Sequence, residues 1–484
     1  MPAGDPLLEH DALGLAGLLR AGEVTPTQLL DATLDRVDRL DPTLNAIITR
    51  CPDRAREHVA RIDPATATGP FVGVPTFLKD LIDLEGVRRT DGSTAMLNRI
   101  SDASPDWVHA AEESGLVMVG KTNTPEFASL AVTDNDAFGP TRNPWDTDLS
   151  CGGSSGGSAV AVAAGYAPLV HGTDGGGSNR IPASWCGVLG VKPSRRRLAS
   201  GELDGSHEVF KTHLALGRSV RDVAALFLST QNRVPARLSS EDHADPGNPY
   251  PLLDALPPAD GRSLRIALTM DCPLGHTPDP AIRAAVESTA RLCEELGHHV
   301  EPVDNPIDGA EFFEAYRGLF LSRTVGLIPM LEAASGLPIE ESGLLSRSTI
   351  EMVRTGEGLA PDAAERAMAS FARLTTTMAG FFSSHDTWLT PVTSTMPPPV
   401  GQPSPSESWD ATGAEGLLAH LAPTNAVGGA AMSIPLWWDP GSGLPIGSHF
   451  SFAPGGDEIL FSLAAQLEEA RPWADRWAPV SAAH

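Results

Sequence analysis

Two clusters of glycine and serine decide how this chain is interpreted: Cys151-Gly152-Gly153-Ser154-Ser155-Gly156-Gly157-Ser158 and Gly172-Thr173-Asp174-Gly175-Gly176-Gly177-Ser178-Asn179-Arg180. Glycine lacks a Cβ atom, so consecutive backbone N–H groups can turn inward and approach a bound group closely. A serine beside such amides has what an acyl-transfer nucleophile and its oxyanion hole require. Flexible linkers are also rich in glycine and serine. Apolar runs follow both clusters at once, at 159–164 and 181–185, which is not typical of linkers.

The composition is that of a cytoplasmic enzyme. Acidic residues outnumber basic ones by 61 to 35, and the formal charge of −26 disfavours nucleic-acid binding. Residues 1–6 show no basic segment followed by an apolar one, and no apolar run is long enough to span a membrane. The five cysteines form no CxxC or Cys/His cluster. We therefore expect neither a disulfide framework nor a metal site, and no cofactor.

The order of the segments predicts an α/β protein that forms one domain over residues 1–484. Four parts are distinguished: N-terminal helices at 1–65, a catalytic core at 66–235, a proline-rich surface connection at 236–262 and a C-terminal α/β part at 263–484. The N-terminal part includes a helix capped by Thr25 with Pro26 in its first turn. Other predicted elements are strands at 115–119, 264–268 and 387–390, helices at 280–296 and within 308–383, and a loop at 396–415.

Both clusters resemble the amidase signature family of serine amidases. Residues 152–165 read GGSSGGSAVAVAAG, and residues 172–194 read GTDGGGSNRIPASWCGVLGVKPS. The resemblance extends to three shorter segments, 73–80, 120–127 and 443–447. Within the family, the chain is most similar to the amidases that hydrolyse the cyclic dimer of 6-aminohexanoate, a nylon by-product. The resemblance implies an α/β/α sandwich with a large central mixed sheet flanked by helices.

The resemblance also implies a Ser–cisSer–Lys triad. Ser178 would be the nucleophile and Lys79 would be the base. The hydroxyl of Ser154 would relay a proton between them, and the peptide bond that precedes Ser154 would be cis. The oxyanion hole is expected at the backbone N–H groups of Gly175, Gly176, Gly177 and Ser178. The supporting residues are Ser155, Asp174 and Arg180, the last two holding the shape of the loop.

Lys79 can act as a base only when its amine is neutral. An unperturbed lysine has a pKa of ~10.4, whereas a base that works near neutral pH needs ~7–8. The apolar neighbours Val74, Phe77 and Leu78 predict burial, which lowers the pKa of a lysine. Asp80 would oppose this effect if it paired with Lys79. Consecutive strand residues point to opposite faces, so we expect Asp80 to face away.

Three positions depart from the family pattern. Gly175 replaces a residue that usually has a side chain, and Asn179 replaces an aliphatic one. The extra glycine could loosen the oxyanion loop, and the asparagine could face the substrate or cap a turn. His449 stands where the family tends to have glutamine, and we expect it to be a polar strand residue.

The expected function is hydrolysis of a non-peptide C–N bond in a small linear or cyclic amide, such as a 6-aminohexanoate oligomer or an aryl amide. A carbamate (urethane) hydrolase with the same triad is the main alternative. A glutaminase subunit of a tRNA-dependent amidotransferase is a lesser one. Residues 152–156 also fit the G-x-S-x-G elbow of α/β-hydrolases, with Ser154 as nucleophile, but a polar, proline-bearing segment precedes them.

A nucleotide-binding protein is disfavoured, because the glycine runs lack a P-loop lysine and a well-placed G-x-G-x-x-G. The expected partner is a small-molecule substrate, with no nucleic acid and no membrane. We expect a monomer or a homodimer.

Overall fold

The computed structural model describes residues 6–203, 209–231, 263–338, 342–402 and 414–484. The helices are α1 (Pro6–Glu9), α2 (Ala12–Arg20), α3 (Pro26–Leu44), α4 (Pro52–Val59), α5 (Asp106–Glu113), α6 (Gly156–Ala163), α7 (Arg180–Cys186), α8 (Val220–Ser229), α9 (Pro280–Glu295), α10 (Gly309–Gly326), α11 (Ile328–Ser335), α12 (Arg347–Glu357), α13 (Ala363–Ser384), α14 (Ala414–Leu418), α15 (Ala422–Val427) and α16 (Asp457–Ala470). The strands are β1 (Ile47–Arg50), β2 (Val74–Lys79), β3 (Leu116–Thr122), β4 (Leu169–Asp174), β5 (Leu189–Lys192), β6 (Thr212–Gly217), β7 (Arg265–Leu268), β8 (His299–Pro302), β9 (Thr387–Pro391), β10 (Ala431–Trp438) and β11 (Pro445–Ser451).

A mixed sheet of eight strands is the centre of the molecule, in the order β4-β6-β5-β10-β11-β9-β7-β8. Strand β7 is parallel to β8 and β9. The other neighbouring pairs are antiparallel. Helices α6, α7, α8, α9 and α16 pack on its strands. The predicted fold class, an α/β protein with a large mixed sheet flanked by helices, is confirmed.

A second sheet of three strands, in the order β1-β3-β2, carries Lys79 at the end of β2. The sequence pattern did not separate this sheet from the large one. It also predicted only helices for residues 1–65, whereas β1 pairs with β3 in antiparallel fashion. Strand β1 was not predicted for a physical reason. Ile47–Arg50 is only four residues long and has one exposed end, so it lacks the alternation that predicts a strand.

Several local predictions are confirmed. Thr25 caps α3 with its hydroxyl, which accepts from Gln28 N at 3.2 Å, and the Gln28 side chain accepts from Thr25 N at 2.8 Å. The predicted strands correspond to β3, β7 and β9, and the predicted helix at 280–296 corresponds to α9. The predicted connection at 236–262 and most of the loop at 396–415 lie outside the described residues.

The helices predicted within 308–383 correspond to α10 to α13. They cover the region where the two glycine clusters meet. The buried carboxylate of Glu126 fastens this layer to the core. It accepts hydrogen bonds from Ser93 Oγ at 2.7 Å, from Ser346 N at 3.0 Å and from Thr349 Oγ1 at 2.6 Å. Since Ser346 is the N-cap of α12, Glu126 determines where that helix starts.

Glycine is required within α6 because the helix touches neighbouring backbone. A Cβ atom on Gly157 would lie 2.5 Å from Asn123 N and 2.7 Å from Ala46 O. Gly157→Ala should therefore lower the free energy of unfolding by about 1–3 kcal/mol through overpacking. Gly380→Ala is the matched control. Gly380 lies in exposed α13 with no atom within 4 Å of the added Cβ, so it should gain ~0.5–1 kcal/mol. Urea denaturation followed by circular dichroism measures both, and equal midpoints would contradict the packing explanation.

Candidate active site

The amine of Lys79 is fully buried and surrounded by hydroxyl groups. Its Nζ lies 2.7 Å from Ser154 Oγ, 2.9 Å from Ser155 Oγ and 3.0 Å from Thr173 Oγ1. Burial lowers the pKa of Lys79 well below its ordinary value. The Asp174 carboxylate opposes this lowering of the Lys79 pKa, and the Lys211 ammonium adds to it. The amine is therefore held in an environment that favours its neutral form.

The hydrogen bonds around the amine distinguish the two serines. The Ser155 hydroxyl lies 3.0 Å from both Thr173 O and Asn179 Oδ1, which can only accept. Ser155 therefore donates to one of them and accepts from Lys79. Within the described residues, Lys79 is the only hydrogen-bond partner of the Ser154 side chain. The geometry thus leaves Ser154 free to donate its proton to a neutral Lys79 amine.

Asp80 faces away from this group of hydroxyls, as the alternation of side chains along a strand predicts. Its carboxylate accepts from Thr90 N at 2.8 Å and lies 3.6 Å from Lys121 Nζ. Lys79 consequently has no carboxylate within hydrogen-bonding distance among the described residues. This arrangement leaves the effect of burial on Lys79 uncompensated by a direct ion pair.

The two glycine clusters meet at Ser154 and Ser178. The peptide bond between Gly153 and Ser154 is cis, and Ser155 N donates to Ser178 O at 3.0 Å. Both Ser154 and Ser178 line a cavity of about 510 Å³. Ser178 is partly exposed to it, and its hydroxyl makes no hydrogen bond to another described side chain. Lys79, Ser154 and Ser178 are thus brought together, with the nucleophile candidate facing the open space.

The loop from Asp174 to Arg180 is held by a buried ion pair. Arg180 Nε and Nη2 donate to the Asp174 carboxylate at 2.9 and 2.8 Å. The same carboxylate accepts from Gly177 N at 2.9 Å and from Asn179 N at 3.2 Å. Although burial opposes it, the Arg180 guanidinium holds the pKa of Asp174 below its usual value. Asp174 and Arg180 are therefore bonded to each other and to the backbone of the loop between them.

One expected oxyanion donor is engaged elsewhere. The N–H of Gly177 points to Asp174, so it is not available to a substrate oxygen. Within the described part of the chain, the amides of Gly175, Gly176 and Ser178 have no acceptor and remain available. Gly177 has a φ of 130°, and a Cβ atom there would lie 2.4 Å from Leu421. Its role is to permit the turn.

Arg180 also ties the loop to the C-terminal part of the chain. Its guanidinium donates to Asn425 Oδ1 at 2.6 Å and to Leu421 O at 3.2 Å, and lies 2.9 Å from His449 Nε2. His449 Nδ1 lies 2.8 Å from Thr390 Oγ1, so this histidine is a buried polar residue of its strand. Asn425 was not identified from the sequence, because no local motif surrounds it.

The departures at positions 175 and 179 have different explanations. Asn179 is fully buried and turned away from the cavity, accepting from Ser155 Oγ and donating to Val191 O at 3.1 Å. It neither faces the substrate nor caps a turn with its side chain. Gly175 lines the cavity, and the nearest atom to an added Cβ would be Lys211 Cα at 4.0 Å. The structure does not require glycine there for space.

Two further residues contact the lysine and were not assigned from the sequence. Thr173 accepts from Lys79 Nζ, and His171 Nδ1 accepts from Lys79 N at 3.2 Å. Both lie on β4, two positions apart, so they share one face of the strand. That alternation was available in the sequence, but the partner strand was not.

Aromatic side chains form one wall of the cavity. Phe127, Phe210, Tyr316 and Phe320 line it, and the rings of Phe210 and Tyr316 lie 5.2 Å apart. The Tyr316 hydroxyl donates to Gly175 O at 3.4 Å.

The described residues contain no group of three His, Cys, Asp or Glu side chains that could hold a metal ion. None of the described helices is long and apolar enough to cross a membrane.

Comparisons with known proteins give matches over nearly the whole chain. The family model named Amidase matches residues 28–461. The chain is 33% identical to the 6-aminohexanoate-cyclic-dimer hydrolase of Paenarthrobacter ureafaciens, over 97% of this chain and 96% of that one. A solved structure of 6-aminohexanoate cyclic dimer hydrolase superposes with a TM-score of 0.85 and 30% identity, covering 99% of this chain and 100% of that one. A bacterial aryl acylamidase gives a TM-score of 0.85 and 27% identity, with 97% and 98% covered.

The ion pair between Arg180 and Asp174 should be essential for stability. Arg180→Ala leaves a buried carboxylate uncompensated, which costs about 3–5 kcal/mol. The control is Arg56→Ala, which breaks the pair with Asp31, where both side chains are 52% exposed. It should cost no more than about 1 kcal/mol. Chemical denaturation measures both, and similar losses for the two variants would contradict this assignment.

Proposed function

The chain belongs to the amidase signature family, an enzyme family that hydrolyses carbon–nitrogen bonds, and we propose that it does so through an acyl-enzyme on Ser178. In this proposal Ser154 relays the proton and Lys79 is the general base. The observation that supports it most directly is the Lys79 amine, fully buried and 2.7 Å from Ser154 Oγ. A surface lysine would be protonated and could not accept a proton at neutral pH.

The proposed reaction has two halves. Ser178 Oγ attacks the carbonyl carbon of the substrate while its proton passes through Ser154 to Lys79. The backbone amides of Gly175, Gly176 and Ser178 stabilise the negative oxygen of the tetrahedral intermediate. The proton returns to the nitrogen as the C–N bond breaks, and the amine leaves. Water then attacks the acyl-enzyme with the same residues acting as base and acid, which releases the carboxylic acid and restores Ser178.

Burial accounts for the state of the base. Taking an amine out of water disfavours its charged form, so burial lowers the pKa of a lysine. The Lys79 side chain has no exposed surface, and its amine contacts hydroxyl groups rather than a carboxylate. Protonation is therefore disfavoured before substrate binds, and the sequence of proton transfers can begin at neutral pH.

The cavity supports a small amide as substrate. Its volume of about 510 Å³ lies within the range of ~300–1,000 Å³ that is usual for small-molecule sites. We propose a linear or cyclic amide, such as a 6-aminohexanoate oligomer, or an aryl amide seated against the aromatic wall. Purified enzyme should hydrolyse members of a panel of anilides and lactam dimers without a partner protein. Carbamates belong in the same panel, because they undergo the same attack and lose an amine.

The nucleophile can be tested by covalent labelling. Ser178→Ala should abolish turnover and labelling by a fluorophosphonate, because the attacking oxygen is removed while the fold is kept. Ser154→Ala should slow labelling but leave its site at Ser178. Mass spectrometry of the labelled peptide identifies the residue. Loss of labelling in Ser154→Ala, together with its persistence in Ser178→Ala, would support the α/β-hydrolase elbow instead.

The base can be tested by pH dependence. Because the pKa of Lys79 is lowered, kcat/KM should rise as Lys79 loses its proton and level off in the neutral to mildly alkaline range. Lys79→Arg should lose several orders of magnitude at every pH, since a guanidinium stays protonated. Measurements from about pH 6 to 10 bracket the expected transition. Activity within about tenfold of the wild type, or ~1.4 kcal/mol in the barrier, would exclude Lys79 as the base.

A further inference from the structure

Strand β2 carries the base, and strand β4 leads into the nucleophile loop. Each is an edge strand of its own sheet, so no backbone ladder joins them. Side-chain hydrogen bonds make the connection instead: besides the bond from Lys79 Nζ to Thr173 Oγ1, there are two more. Thr76 Oγ1 donates to Leu169 O at 2.7 Å, and Lys79 N donates to His171 Nδ1 at 3.2 Å. The bond to His171 is thus made by the backbone N–H of Lys79, the proposed base.

The donor at Lys79 determines the tautomer of His171. Since Nδ1 accepts, a neutral imidazole carries its proton on Nε2, which lies 3.1 Å from His213 Nδ1. His213 Nε2 lies 3.6 Å from Glu202 Oε1, and Lys211 Nζ lies 2.6 Å from the same oxygen. The ring of His171 is thus held from both sides, by Lys79 N at Nδ1 and by His213 at Nε2.

His171 is also held by packing. It is 2% exposed, its ring stacks on His213 at 5.4 Å, and the Trp107 ring lies 4.4 Å away. Burial, with the neighbouring His213, lowers the pKa of His171 well below its ordinary value. The positive charges of nearby lysines lower the same pKa. The Nδ1 lone pair therefore stays available to Lys79 across the working pH range.

We infer that His171 is a positioning residue for amide hydrolysis: its Nδ1 holds the backbone of Lys79 in register with β4, and so holds the amine against Ser154. The inference rests on the proposed function. His171 does not touch the substrate or the transferred proton, so it acts through Lys79. Displacing a catalytic group by about 1 Å can cost on the order of 100-fold in rate.

The experiment compares three substitutions at this position. His171→Leu removes the Nδ1 acceptor of the bond from Lys79 N. His171→Asn keeps an acceptor, because its side-chain oxygen lies near the place of Nδ1. His171→Gln loses the acceptor at that place, because its amide lies near the place of Nε2. We expect the rate of fluorophosphonate labelling at Ser178 and kcat for an anilide to fall about 100-fold in His171→Leu, with little change in KM. His171→Asn should remain within about tenfold of the wild type, and His171→Gln should be as impaired as His171→Leu.

A histidine remote from the site serves as the control. His298 Nδ1 accepts from Leu264 N at 3.2 Å, so His298→Leu removes the same kind of bond from another pair of elements. It should lower the melting temperature without lowering the labelling rate. If His171→Leu is equally harmless to labelling while folded, the inference is overturned.

Two other outcomes are decisive. If His171→Leu does not fold, equal labelling rates of His171→Asn and His171→Gln overturn the inference, and faster labelling of His171→Asn supports it. If the wild-type enzyme is not labelled at Ser178, the proposed function fails and the inference fails with it. A labelled wild type with an unimpaired His171→Leu overturns the inference alone.

Discussion

The rest of the site depends on one physical constraint, a lysine amine buried without a counter-ion in contact. Lys79 has no exposed surface, and its hydrogen-bond partners are the hydroxyls of Ser154, Ser155 and Thr173. In water the charged form of an amine is strongly favoured, whereas a dry site without a carboxylate reverses the preference. Asp80 lies on the other face of the strand, where it contacts Thr90 and Lys121. The Lys79 amine is therefore left without a carboxylate partner.

The fold satisfies that constraint by joining two sheets at their edges. The proposed base, Lys79, comes from the three-stranded sheet, and the proposed nucleophile, Ser178, lies in the loop after an edge strand of the eight-stranded one. Side-chain bonds at Thr76, Thr173 and His171 take the place of a backbone ladder between β2 and β4. Such an edge contact places the lysine deep in the molecule while leaving Ser178 open to the cavity.

The nucleophile loop depends on a second buried charge, which is compensated. Asp174 accepts from Arg180, Gly177 and Asn179, and Arg180 reaches Asn425 in the C-terminal part. A buried carboxylate is tolerated when a guanidinium and backbone amides satisfy it. The loop from Asp174 to Arg180 is therefore held in place by residues that lie far apart in the chain. Within the same site, burial lowers the pKa of Lys79, whereas the Asp174 carboxylate is compensated by pairing with Arg180.

The sequence by itself determined the family and the α/β class, and it predicted Lys79, Ser154 and Ser178 as the triad, because the glycine–serine clusters are local motifs. It also indicated burial of Lys79 from its apolar neighbours, and it indicated from strand alternation that Asp80 faces away from Lys79. Only the tertiary structure decided that β2 and β4 belong to different sheets, that the Gly177 amide binds Asp174, and that His171 and Asn425 support the site. These contacts join residues distant in sequence, and the pattern of one strand does not specify the strand or helix packed beside it.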